Sequence, residues 1–112
     1  MATVRQCEVA LRDLAAMLDG VDEHHRRRHD LERTVTCRIR DLDVVFAGRL
    51  RDGRLYDICQ VDRVQAQIRL AMNSDDLIGL TSGQLEFAAA WASGRIRVDA
   101  SIFDLLRLRA LF

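Results

Sequence analysis

Residues 67–100 read QIRLAMNSDDLIGLTSGQLEFAAAWASGRIRVDA, two strand-like stretches enclosing a pair of helix-like ones. In residues 67–72, Ile68, Leu70 and Met72 alternate with polar or smaller residues, the period-two signature of a half-buried strand. Asn73 and Ser74 supply N-cap oxygens. Asp75 and Asp76 put negative charge on a first helical turn, where orphan amides and the helix dipole favour it. Leu77, Ile78 and Leu80 form the apolar side of this helix of one to two turns. Thr81, Ser82 and Gly83 break it and cap a second helix over residues 84–93, which Gly94 ends, since glycine takes a left-handed conformation freely. Residues 95–99 alternate again, with Ile96 and Val98 on one side.

The second helix has two apolar stripes. Leu85, Ala88, Ala89 and Ala92 form one, and Phe87 and Trp91, four residues apart, form another. So little polar surface requires cover on two sides. The alanines would let a sheet approach closely. Phe87 and Trp91 face either more core or an apolar cavity of lipid size, and function turns on which.

The length, 112 residues, is that of one domain, 1–112, with a single two-layer core. The chain is 49% hydrophobic but only 5% aromatic, so its core is aliphatic. Formal net charge is zero, which argues against a global attraction to nucleic acid or anionic membrane. Cys7, Cys37 and Cys59 are odd in number and form no CxxC, the start MATVRQ is no signal peptide, and no apolar run is long enough to span a membrane. A reduced, cytoplasmic protein without stable membrane insertion is expected.

Residues 3–18 predict an amphipathic helix with Thr3 and Gln6 as a capping box, Glu8 and Arg12 paired, and Val4, Cys7, Leu11, Leu14 and Leu18 buried. Residues 21–32, VDEHHRRRHDLE, form a charge run. His25 and His29 would share a helical face, but Arg26, Arg27 and Arg28 would repel a cation; an exposed polar helix is expected and no metal. Three strands follow, over residues 33–40, 43–50 and 55–59. Val35, Cys37, Ile39, Val44, Phe46 and Leu50 face inward, Tyr56 and Ile58 are expected to do so, and Val45 and Ala47 blur the parity of the middle strand. Residues 51–54, Arg-Asp-Gly-Arg, make a hairpin turn. The other face of the sheet carries Thr34, Thr36, Arg38, Arg49, Arg69, Arg95 and Arg97, read as a wet, solubilising face with capture of a phosphate or carboxylate as the rival reading. Residues 101–112 predict a terminal helix capped by Ser101, with Asp104, Arg107 and Arg109 as its polar residues.

The sequence has no GxSxG, phosphate loop, GxGxxG or HxE with CxxC, and its acids lie at caps, turns and exposed faces. Binding rather than turnover is expected, with no cofactor. The order of elements, and above all SDDLIGLTSG, the apolar helix with Trp91 and GRIRV, resembles the sterol carrier protein 2-like domain from about Val35 to Phe112. The resemblance implies an α+β fold: a five-stranded, mostly antiparallel sheet, helices packed on one face, and an apolar tunnel between the layers. It implies non-enzymatic binding of a fatty acid, acyl-CoA or sterol-like lipid, and no catalytic residue. On the matching positions the lining comprises Phe46, Leu70, Met72, Leu77, Leu80, Phe87, Trp91, Phe103 and Leu106. The ligand would enter by partitioning, with the terminal helix as a movable lid. The alternative is an interaction module: a homodimer or partner contact through Phe103, Leu108, Leu111 and Phe112, with no open cavity. An enzyme using Asp or His residues on an apolar substrate is the third reading.

Overall fold

The computed structural model describes residues 2–19, 32–51, 54–62 and 64–111. In chain order these form α1 (Val4–Asp19), β1 (Arg33–Ile39), β2 (Val44–Arg51), β3 (Arg54–Val61), β4 (Ile68–Met72), α2 (Ser74–Ser82), α3 (Phe87–Ala92), β5 (Arg97–Asp99) and α4 (Ile102–Leu111). The strands make one sheet in the order β3-β2-β1-β4-β5. Every neighbouring pair is antiparallel except β1 and β4, which run parallel. The fold is α+β, as expected.

Local chemistry sets the start of α1. The Thr3 N–H donates to Gln6 Oε1 at 2.8 Å and the Gln6 N–H donates to Thr3 Oγ1 at 3.1 Å, so the capping box is closed in both directions. Arg12 meets Glu8 at 3.1 Å on the exposed side, while Cys7, Ala10 and Leu11 are buried. A reciprocal clip pins the parallel pair: the Thr34 N–H donates to Gln67 Oε1 at 3.1 Å and the Gln67 N–H to Thr34 Oγ1 at 3.0 Å. That fixes the register Cys37 to Leu70 and Ile39 to Met72, while Cys37 faces Phe46 on its other side. The period-two pattern therefore lands its apolar set on one face. Phe46 is buried and Val45 pairs with Arg38, which settles the parity of β2.

β3 departs from the expected parity. Tyr56 is 39% exposed and pairs with Arg49, while Leu55 pairs with Leu50. The register runs Ala47 to Cys59 and then Arg49 to Tyr56, so Gly48 alone faces both Asp57 and Ile58. This is a β-bulge, and Asp57 takes a left-handed conformation at φ 56° to make it. The extra residue returns Ile58 to the inner face and leaves Tyr56 outside. A Cβ on Gly48 would lie 3.3 Å from the Tyr56 carbonyl oxygen, which explains the glycine.

α2 runs nine residues, longer than expected, and stops where Gly83 adopts φ 80°. Asn73 holds the N-cap position, but its side chain makes no capping bond. Asp41, in the turn after β1, does the work instead. It accepts the Ser74 N–H at 2.8 Å and the Ser74 hydroxyl at 2.6 Å. Ser74 is fully buried and its Oγ also accepts the Ala2 N–H at 3.0 Å, so one serine ties the chain start, the turn and α2 together.

α3 begins at Phe87, not at residue 84, because the Leu85 N–H is committed to the Gly79 carbonyl at 3.1 Å. Its inward side is Phe87, Ala90 and Trp91; Ala88, Ala89 and Ala92 are exposed, contrary to the expected alanine stripe. Two rings remove more apolar area from water than three methyl groups, and one short helix cannot bury both sets. His24, His25 and His29 lie outside the described residues, as do Asp52, Gly53 and Phe112. Among the described residues no group of His, Cys, Asp and Glu is placed to hold a metal ion.

Candidate functional site

Between the sheet and the helices lies a cavity of about 410 Å³. Its floor is the inner face of the sheet: Val35 and Cys37 of β1, Phe46 and Leu50 of β2, Ile68, Leu70 and Met72 of β4. Leu55 and Ile58 of β3 close one side, both turned inward by the bulge. Leu11 and Leu14 of α1, Leu77 and Leu80 of α2, and Leu85 with Phe87 form the roof. Gly48 sits in register with Val35, so one row of the floor lacks a side chain exactly where the wall bends, and this helps keep the space open.

Among the described residues no charged, amide or hydroxyl side chain lines the cavity. The Cys37 thiol is its one ionisable group, and burial pushes its pKa up to about 12, with Cys7 adding a smaller push. Burial raises Cys7 as well, helped by Asp41 and Asp75. Both thiols are therefore held protonated, as small apolar groups rather than nucleophiles. Such a chamber can hold a hydrocarbon chain, and any ionised head would have to stay at its mouth, where water can solvate it.

Of the residues named from the sequence, Phe46, Leu70, Met72, Leu77, Leu80 and Phe87 come together around this cavity, whereas Trp91, Phe103 and Leu106 are not in its lining. Trp91 packs against a neighbouring cluster built on Leu50 and Ile68. Its ring meets that of Phe87 edge-on, with centroids 6.0 Å apart and planes at 70°, so it backs the wall from outside the cavity. Phe103 and Leu106 are 75% and 62% exposed. They point outward because α4 turns its carboxylate inward. Asp104 is buried, and Arg33 Nε donates to both its oxygens, at 3.1 and 3.0 Å. At about 100° per residue, Ile102 and Leu106 stand roughly opposite Asp104 and face water. The predicted lining left out Leu11 and Leu14 of α1, Val35, Cys37, Leu50, Leu55, Ile58 and Ile68 of the sheet, and Leu85. Strand parity would have found Val35 and Ile68, but no local signal announces the bulge.

No family model matches the sequence, and no curated protein matches it. Solved structures match its shape. Sterol carrier protein 2 like 2 from Aedes aegypti aligns with a TM-score of 0.64 and 14% identity over 96% of this chain and 97% of that one. Sterol carrier protein 2 from Aedes aegypti, in complex with the C16 fatty acid palmitate, aligns at 0.58 and 20% identity over 99% of this chain and 96% of that one. The sec-alkylsulfatase Pisa1 from Pseudomonas sp. aligns at 0.55 and 20% identity over 76% of this chain, which spans only 13% of the enzyme. The fold thus defines a class, an open five-stranded sheet roofed by helices over an apolar chamber. That class is the sterol carrier protein 2-like fold, and this chain has it.

Proposed function

We propose that this protein binds one long apolar chain, of a fatty acid, an acyl-CoA or a sterol-like lipid, in the cavity between sheet and helices and releases it unchanged. The observation that carries the reading is the cavity itself, about 410 Å³ walled by aliphatic and aromatic side chains. Palmitate bound to structural neighbours supports it by analogy. Affinity comes from removing the chain from water. At about 0.8 kcal/mol per methylene, a sixteen-carbon chain supplies roughly 10 kcal/mol before the costs of ordering it. The lining offers no group that would react with such a guest, so a carrier fits the site better than an enzyme. All three cysteines are free, which suits a reducing cytoplasm, and no helix among the described residues is long and apolar enough to cross a membrane. Titrating Trp91 fluorescence with palmitate, alongside native mass spectrometry, tests the reading. No spectral change together with no adduct would overturn it.

The exposed Ile102, Phe103 and Leu106 favour a second reading, in which α4 packs against another copy of the chain. Sedimentation decides it. A dimer that separates when Phe103 and Leu106 become glutamine supports that reading, and a monomer at all concentrations removes it.

A further inference from the structure

The sheet face turned away from the helices holds a groove of about 750 Å³ that the cavity does not use. Ala71 lies on its floor in β4. The register sets Arg38 of β1 beside Ala71 on one side and Arg97 of β5 beside it on the other. Arg69, two residues back on β4, shares this face because side chains alternate along a strand. Neighbouring strands lie about 4.8 Å apart, so the stems of Arg38 and Arg97 rise roughly 10 Å apart across a single methyl group. Arg38, Arg69 and Arg97 thus line one groove, which has room for a phosphate group.

These charges are not locked in place. Arg38 meets Asp43 at 3.3 Å and Arg69 meets Asp99 at 3.0 Å, but the two acids are 88% and 61% exposed, and ion pairs so open to water exchange readily. Arg97 has no ion pair or hydrogen bond among the described residues. Thr36 is only 7% exposed and lines the same groove, paired in register with Arg69. Its hydroxyl has no hydrogen-bond partner among the described residues, whereas buried hydroxyls in folded proteins nearly always have one. An anion oxygen held over Arg69 would supply it.

The geometry points to this groove as a binding site for a phosphate group, carried either by a small phosphate ester or by a lipid head group. The planar fork of arginine matches phosphate oxygens and makes charge-assisted bonds to them. Asp43, Asp62 and Asp99 also line the groove and oppose an anion, so binding is weak and fails as salt rises. The sheet lies between this site and the cavity, and the two readings stand or fall separately.

The test titrates the full chain with inorganic phosphate, against chloride at equal ionic strength, and follows amide resonances. In parallel, the chain is sedimented with phosphatidylcholine vesicles with and without phosphatidylglycerol. Ala71→Leu narrows the groove without changing a charge, and Arg97→Gln removes the uncommitted guanidinium from an exposed edge strand. Phosphate should shift residues 36–38, 69–71 and 97 saturably. Arg97→Gln should weaken it about tenfold or more, and Thr36→Val about fivefold. Vesicle binding that needs phosphatidylglycerol and is lost in both variants supports the site with a lipid head group as its source. Phosphate binding without vesicle binding supports it with a small ester. Neither phosphate nor vesicle binding, or binding that both variants leave intact, overturns the assignment.

Discussion

Replacing Val35 with phenylalanine is the sharpest perturbation of the cavity. Val35 lies on its floor in register with Gly48, where the absent side chain leaves room for a ring. Phenylalanine carries four more side-chain carbons than valine, so it should displace about four methylenes of a bound chain. At about 0.8 kcal/mol each, the guest loses roughly 3 kcal/mol. That is more than a hundredfold in Kd, at about 1.4 kcal/mol per factor of ten. The folded protein should tolerate the ring, because filling an existing hollow restores contacts that a void forfeits. The assay is Trp91 fluorescence titrated with palmitate, with thermal melts on the same samples and Val45→Phe, on the other face, as control. Unchanged affinity would refute the reasoning, since the chain would then lie elsewhere. So would a fall of several degrees in Tm, since the space would then be filled already.

At the bulge, Gly48→Ala should cost about 1 kcal/mol, because its methyl group would press on the Tyr56 carbonyl at 3.3 Å, while Asp57→Gly should stabilise by up to about 1 kcal/mol by relieving φ 56°; urea denaturation reads both. The Ser74 hydrogen bonds hold the Asp41 carboxyl below its ordinary pKa, so this contact stabilises the fold fully above the ordinary aspartate range and fades as pH falls through the lowered value. Ser74→Ala should therefore be less stable at neutral pH, with the difference from the parent shrinking in strong acid. Asp104→Ala should cost about 2 kcal/mol by stranding the Arg33 guanidinium at the base of α4, which hydrogen exchange should report as early opening of that helix. In a thiol-reagent assay at pH 8, exposed Cys59 should react at once, while buried Cys7 and Cys37 wait for denaturant. With its pKa near 12, Cys37 is thiolate in only about one molecule in ten thousand.

What could be read from the sequence was local. The capping box of Thr3 and Gln6, the Glu8–Arg12 pair and the alternation of β1 and β4 each depend on residues a few positions apart, and the structure has them. What could not be read depends on distant partners. Asp41 caps α2 from thirty-three residues away, so Asn73 and Ser74 looked sufficient by themselves. Arg33 turns Asp104 inward across seventy-one residues, which reverses the facing of Phe103 and Leu106. Leu85 is tied to Gly79, which delays the start of α3. In each case a charge or an amide found a better partner outside its own segment, and the apolar pattern alone did not reveal it.

A strand counts in twos, and the surplus residue at position 57 resets that count partway along β3. Removing it by a single-codon deletion would leave Leu55 and Ile58 two positions apart, both still inward, with Tyr56 between them still outside. The facing would survive, and what would go is the local bend and added twist that the extra residue puts into this edge strand. The wall of the chamber is thus shaped at this point by the length of the strand rather than by the choice of side chains.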